Sequence, residues 1–233
     1  MSTPLIFLSG LLCDQSIWRT QSAYFSEHYA VSVFSFANID SIDQMAQQVI
    51  QHLNTPSIII GHSMGARVAL EVIRQAPELV CKIALLDFGI HPVKEFEAEK
   101  RYALTQAAKD QGMEYLIDAW LKPMIHEPNI ENAAIFEPMK TMLLQQNASS
   151  FALQIDALLN RPEAESIFKS IQVPLYLGVG REDRWSTLQQ HVQMCQLNPA
   201  AQLHIYEQCG HMSPVEAADQ VNQSLKRWLE ASE

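Results

Sequence analysis

Apolar positions along the chain fall into short runs separated by stretches of helical spacing. Residues 5–8, 30–34, 57–60, 82–86, 175–179 and 202–206 read as strands. Ser57-Ile58-Ile59-Ile60 and Ile83-Ala84-Leu85-Leu86 are apolar without alternation, the pattern of strands covered on both faces. Between the runs, Met45, Val49, Ile50 and Leu53 recur at helical spacing, as do Val68, Leu70, Val72 and Ile73. Val221, Leu225, Trp228 and Leu229 repeat the pattern near the end. Strands alternating with helices predict an α/β fold, a doubly wound and mostly parallel sheet of about six strands.

The strand rhythm stops after Leu86 and resumes at Val173. Residues 104–108, 115–121, 139–144 and 151–159 read as helices, broken up by Pro123, Pro128, Pro138 and Pro162. A helical block between two strands of one sheet is most simply an insertion. The organisation expected is a core of 1–90 and 162–233 with a helical cap over 91–161. Internal repeats and low-complexity tracts are absent from the sequence.

Charge narrows the functional classes. The chain of 233 residues has 16 Lys and Arg against 26 Asp and Glu, a formal net charge of −10. Nucleic acids and anionic membrane surfaces call for basic patches, so neither is an expected partner; a small-molecule substrate is. Cys13, Cys81, Cys195 and Cys209 include no C-x-x-C pair, which disfavours a zinc ribbon or dithiol motif. No basic residue precedes the first apolar run, and no apolar stretch approaches the roughly 18 residues of a membrane span. The expectation is a soluble, cytoplasmic protein, with the oligomeric state open.

The chemistry concentrates in Gly61-His62-Ser63-Met64-Gly65, which follows a strand and opens the helix 66–75. This is G-x-S-x-G in its strand–turn–helix setting. A nucleophile on so tight a turn crowds the residues two positions either side, and glycine removes the crowding. Ser63 then projects at a helix N-terminus, where free N–H groups favour developing negative charge. With 8 glycines in the chain, the motif is expected by chance roughly 0.02 times per chain.

A serine nucleophile needs a base, and the base needs an acid to orient it. In sheets of this kind the reactive residues stand at the C-terminal ends of strands. His211, in Cys209-Gly210-His211-Met212, follows the strand 202–206 and is the base candidate. His204 reads as a strand packing residue and His62 as pointing away from the nucleophile beside it. His28, His52 and His191 fall in or near helices; His91 and His126, in the insertion, read as surface loop first and pocket lining second. Asp183, after the strand 175–179, is the acid candidate, and the order Ser, Asp, His fits the motif. Asp87 competes from the end of the strand 82–86, and Glu182 neighbours Asp183 as a loop charge.

Two backbone N–H donors should face the developing oxyanion. Met64, following the nucleophile, supplies one, and Leu11, in the loop Ser9-Gly10-Leu11-Leu12, the other. Gly10, Gly61, Gly65, Gly180 and Gly210 fall in segments that should converge above the sheet, which supports a single site.

Together these residues resemble the α/β-hydrolase superfamily, in its single-domain esterase and carbon–carbon hydrolase branch that carries a helical cap. The resemblance covers about 1–90 and 170–233. It implies Ser63 as nucleophile, Asp183 as acid, His211 as base, and Leu11 and Met64 as oxyanion donors. Relatives often carry His-Gly where Ser9-Gly10 stands, and a second glycine where Ala66 stands. The first two strands of the fuller eight-stranded fold have no counterpart here, consistent with about six strands.

The expected reaction is hydrolysis of a carboxylic ester or thioester of a small to medium, largely apolar substrate, through an acyl-enzyme on Ser63. Trp120, Phe136 and Trp185 are candidates for the substrate pocket, though the apolar residues of 91–161 serve equally well as the cap's own core. Lys94, Lys100, Arg101, Lys109, Lys122, Lys140 and Arg161 form no run, so a polyanion has no visible docking site unless folding gathers them. Carbon–carbon cleavage or elimination by the same residues is an alternative, and a non-catalytic ligand-binding protein on this fold is another. No metal cluster or dinucleotide glycine motif is visible, so no cofactor is expected.

Overall fold

The computed structural model describes residues 3–231. Met1 and Ser2, on which part of the leader-peptide reading rests, lie outside them. The strands are β1 (Pro4–Leu8), β2 (Ala30–Phe34), β3 (Ser57–His62), β4 (Val80–Leu86), β5 (Leu175–Gly180) and β6 (Gln202–Tyr206). They form one sheet in the order β2-β1-β3-β4-β5-β6, with every neighbour parallel. The expected sheet is therefore present. Strand β3 runs two residues past the apolar run that predicts it. Gly61 and His62 pair with Leu85 and Leu86, and Ser63 N–H donates to the Leu86 carbonyl at 2.9 Å. Backbone pairing thus outlasts side-chain hydrophobicity.

Helices α1 (Arg19–Phe25), α2 (Ile42–Ile50) and α3 (Met64–Gln75) alternate with the first four strands. Helices α2 and α3 pack together, and α3 lies against β1, β3 and β4. Between β4 and β5 come α4 (Glu97–Gln111), a π-helical turn at Ile117–Leu121, α5 (Glu127–Ile130), α6 (Ala133–Leu144), α7 (Ala148–Leu159) and α8 (Glu165–Ser170). The chain closes with α9 (Leu188–Leu197), α10 (Ser213–Glu216) and α11 (Ala218–Glu230). Helix α1 packs on α11 at the other side of the sheet's N-terminal half. Pro138 does not break α6 as its residue type predicts; it lies inside the helix, where it removes one N–H and leaves the flanking turns intact.

Among the described residues no helix is long and apolar enough to cross a membrane. The core runs through β1, β3, β4 and β5 and reaches the end of β6, with β2 packed half-buried at its edge; Leu5, Phe7, Ile59, Ile60, Leu85 and Leu177 have no exposed surface. Trp18 is fully buried and stacks on Phe7 with ring centroids 4.7 Å apart, as a packing anchor should. Strand β2 lies on one side of β1 and β3 on the other. The chain therefore leaves β1 and β3 in opposite directions, which opens a crevice beyond their C-terminal ends. The loop carrying Leu11 and the turn carrying Ser63 both border it.

Candidate active site

Ser63 sits between β3 and α3 with φ 54° and ψ −115°, a backbone conformation that costs a side-chain-bearing residue free energy. The geometry holds because its neighbours leave no alternative. A Cβ on Gly61 would meet the Gly65 carbonyl at 2.5 Å, and one on Gly65 would meet the Leu8 carbonyl at 2.2 Å. Both strands and the helix close on the turn, so only glycine fits on either side of it.

Three side chains from distant positions join in a hydrogen-bonded chain. His211 Nε2 lies 2.9 Å from Ser63 Oγ, and His211 Nδ1 lies 2.7 Å from Asp183 Oδ2. Asp183 Oδ1 accepts from the N–H groups of Trp185 at 2.7 Å and Ser186 at 2.9 Å. Burial opposes the charge of Asp183, but His211 and these donors outweigh it and hold its pKa below the ordinary carboxylate value. Burial likewise opposes protonation of His211, and the Asp183 carboxylate overrides it, so the imidazole pKa is raised.

The competing carboxylates do other work. Asp87 is fully buried with φ 50°, and accepts from Gly180 N–H at 3.0 Å and Ser213 N–H at 3.3 Å. It therefore ties the ends of β4 and β5 to α10. Burial, with the nearby Asp183 charge, pushes its pKa well up. Glu182 accepts from Cys209 N–H at 2.8 Å and so holds the loop that carries His211.

His62 does not point away, as its place beside the nucleophile suggests. It borders the cavity and its Nε2–H donates to the His211 carbonyl at 2.7 Å. Burial drives its pKa down to about 3, so it is neutral and acts as a donor to the backbone of the base. A Cβ on Gly10 would stand 2.8 Å from His62 Nδ1, so that glycine makes room for this ring.

Leu11 and Met64 both line the cavity beside Ser63. Leu11 N–H has no hydrogen-bond acceptor among the described residues, and Met64 N–H is the first of α3, beyond the reach of intrahelical acceptors. The next residue is pinned from above. Leu12, at φ 56°, donates its N–H to Gln154 Oε1 at 2.9 Å, and Gln154 donates to the Phe36 carbonyl at 2.9 Å. Gln154 lies on α7, so the segment between β4 and β5 covers the site and holds its loop.

A second clamp comes from Glu216. Its buried carboxylate accepts from the N–H groups of Gly210 and Met212, which flank His211, and from His126 N–H and Asn129 Nδ2 of the covering segment. His211 N–H itself donates to the Met124 carbonyl at 2.7 Å. Neither Gln154 nor Glu216 is marked by any motif. A buried polar residue in an apolar helical stretch is the only signal either gives.

The cavity wall holds Trp120 and Trp185, whose rings stand edge to face at 6.3 Å, with Trp185 5.9 Å from His211. Phe136 is buried and is not among the lining residues; α6 packs it inward instead. The wall is also more polar than the composition of 91–161 suggests, because folding gathers Arg67, Arg101 and Arg161 with Glu97 and His91. His91 lies in a loop, half-buried, and lines the cavity, the less expected of its two readings. Burial and the neighbouring Arg67 push its pKa down to about 4.

Arg67 is four residues past Ser63 on α3, and only 8% of it is exposed. Its guanidinium donates to the carbonyls of Gly89 and His91 (2.8 Å for the latter), and no carboxylate among the described residues lies within ion-pair distance. Burial, and the Arg161 charge beside it, lower its pKa to about 9, so it stays charged at neutral pH. Burial pushes the Cys13 and Cys209 thiols up, which leaves them protonated packing residues. Among the described residues no group of three or more His, Cys, Asp or Glu converges as metal ligands.

Comparison with known proteins agrees with this architecture. Residues 5–224 match the model of the alpha/beta hydrolase family. An (E)-2-((N-methylformamido)methylene)succinate hydrolase from Acinetobacter baylyi is 26% identical over 98% of this chain and 91% of its own length. A thermophilic esterase from Thermogutta terrifontis, solved with malate bound, superposes with a TM-score of 0.89 at 19% identity, over 98% of this chain and 90% of that one. The enol-lactonase from Burkholderia xenovorans gives the same TM-score at 18% identity, over 99% and 92%.

Proposed function

Because this chain belongs to the alpha/beta hydrolase family, we propose that it hydrolyses a carboxylic ester, lactone or thioester through an acyl-enzyme on Ser63, and that the substrate carries a carboxylate. The observation that carries the reaction is the continuous Ser63–His211–Asp183 hydrogen-bonded chain, opening on a cavity at the start of α3. His211 Nε2 takes the proton of Ser63 Oγ as that oxygen attacks the acyl carbon. The Leu11 and Met64 N–H groups receive the oxyanion. Collapse expels the alcohol, which leaves with the proton from His211. Water, deprotonated by the same nitrogen, then adds to the acyl carbon and frees Ser63. Asp183 holds Nδ1–H and offsets the charge of the transient imidazolium.

The carboxylate is argued from Arg67. A buried cation without a carboxylate partner carries a desolvation cost that an anionic ligand offsets. The 26%-identical relative is named for hydrolysing a substituted succinate, which supports the same reading. A largely apolar substrate would leave the arginine wall unmatched.

Labelling with a fluorophosphonate probe, followed by peptide mass spectrometry, tests the nucleophile. The expected adduct is on Ser63, and it is lost in His211→Ala. A folded wild-type protein that takes no label overturns the acyl-enzyme. The anion reading is tested on the same protein by comparing kcat/KM for 4-nitrophenyl butyrate and its glutarate monoester. The charged ester is expected to be favoured at least tenfold, and Arg67→Met to erase the preference, as loss of a charge-assisted contact should.

A further inference from the structure

The three arginines of the cavity wall are not equivalent. Arg161 is engaged by Glu97 in a two-point fork, Nη1 to Oε1 at 2.8 Å and Nη2 to Oε2 at 3.0 Å. The same two nitrogens donate to the Leu158 and Pro92 carbonyls. Arg101 gives its Nε–H to Glu97 Oε1 at 2.9 Å, and Lys94 N–H reaches Glu97 Oε2 at 3.0 Å. Burial disfavours the Glu97 charge, but these donors, led by Arg161, hold its pKa down to about 2. It is an anion at every working pH. Arg67 has no such partner. Arg161 Nε–H, meanwhile, is buried and makes no hydrogen bond. The Arg161 guanidinium, with 3% of its side chain exposed, thus still has an unspent donor.

We propose that Glu97 is a resident carboxylate that sets how many negative charges the pocket accepts. This deepens the anion reading above and rests on it. Glu97 occupies Arg161 and one nitrogen of Arg101 in the way a second substrate carboxylate would. One carboxylate of the ligand is left to pair with Arg67 and the remaining face of Arg101. A dianion meets Glu97 where its second charge needs a cation, so the protein as it stands gains no affinity from a second carboxylate. Glu97 and Arg161 both border the cavity, so a ligand that replaced Glu97 there would reach the same fork. Glu97 acts through Arg161 and touches no reacting atom; it is a positioning residue for specificity.

The test is calorimetric binding of butyrate and glutarate, one and two carboxylates on comparable chains, to wild type and to Glu97→Gln. The glutamine keeps the shape and one acceptor but removes the charge. Wild type is expected to bind the two with affinities within about threefold, and Glu97→Gln to gain about tenfold for glutarate and little for butyrate, the scale of one charge-assisted pair. The gain should shrink as salt is raised. Adding Arg161→Met to Glu97→Gln should abolish it, which a merely structural role of Glu97 does not predict. Should Glu97→Gln fold poorly, its melting temperature with glutarate becomes the readout, and glutarate should restore it where butyrate does not. Glutarate binding or rescue that matches butyrate in Glu97→Gln overturns the proposal. The anion reading fails separately: butyrate that binds wild type no more tightly than Arg67→Met overturns that reading, whereas butyrate binding that depends on Arg67, with no glutarate gain in Glu97→Gln, overturns the role of Glu97 alone. Both are read without turnover, so labelling of Ser63 bears on neither.

Discussion

Asp183 and Asp87 show how environment sorts two buried carboxylates a short distance apart. Both are within the reach of strand ends above the sheet, and from the sequence either can orient His211. The structure gives Asp183 the imidazole and two backbone donors, and gives Asp87 two backbone donors and a strained φ. A consequence can be measured. In the proposed mechanism His211 must be neutral to take the proton of Ser63, and its pKa is raised by Asp183. The acid limb of kcat/KM should therefore lie above the ordinary histidine value of about 6.5. In Asp183→Asn the limb should move to lower pH, and kcat should fall about 10³- to 10⁴-fold. An unmoved limb would mean that the orienting charge comes from elsewhere, with Asp87 the first suspect. At this scale the meeting of Ser63, His211 and Asp183 is legible in the sequence because the chemistry they suggest needs a rare local pattern. The positions of Arg67, His62 and Glu216 are not, because they depend on what distant segments bring against them.

At the scale of elements, the segment between β4 and β5 is legible as helical but not as a pocket wall. Periodicity reports which face of a helix is buried, not against what. Phe136 and Trp120 look alike in sequence, and α6 turns one inward while the π-helical turn presents the other to the cavity. Pro138 reads as a breaker because propensity is local, whereas α6 is held by its packing on α5 and α10. Glycine spacing, by contrast, anticipated the turn at Ser63, since clash between backbones is itself a local constraint. Helix α7 offers the sharpest test. Gln154→Ala removes the contacts to Leu12 N–H and the Phe36 carbonyl. The loop bearing Leu11 then loses its register with Ser63. The expected loss in kcat is on the order of tenfold to a hundredfold, with KM changed much less, as misplacement of a transition-state contact predicts. Equal loss in both would point to general loosening.

For the whole molecule, the buried histidines set an acid limit. His62, His91 and His191 have pKa values lowered to about 3, 4 and 4, each chiefly by burial. In the unfolded chain they titrate near 6.5. Below that pH the unfolded state takes up protons that the folded state refuses, so stability is full above about 6.5 and falls as pH drops toward 4. Glu97, held down to about 2, adds a loss that begins near its unfolded value of about 4.3. His211 and Asp87, with raised pKa values, work in the opposite sense, but they are two groups against four. Melting temperature should fall steadily between pH 6.5 and 4.5, and His191→Gln should flatten that slope. A flat profile would show that these rings admit protons in the fold.

The Glu216 carboxylate holds both the loop of the base and the chain at His126 and Asn129 above it, and Met124 receives the N–H of His211 directly. Roof and machinery are therefore fastened by the same bolt. On the proposed mechanism, a motion that lifts residues 124–129 to admit a ligand also unseats His211, so opening and attack exclude each other. Water that enters the uncovered cavity then meets Ser63 without His211 in place, and the rate at which this segment reseats becomes an upper bound on turnover.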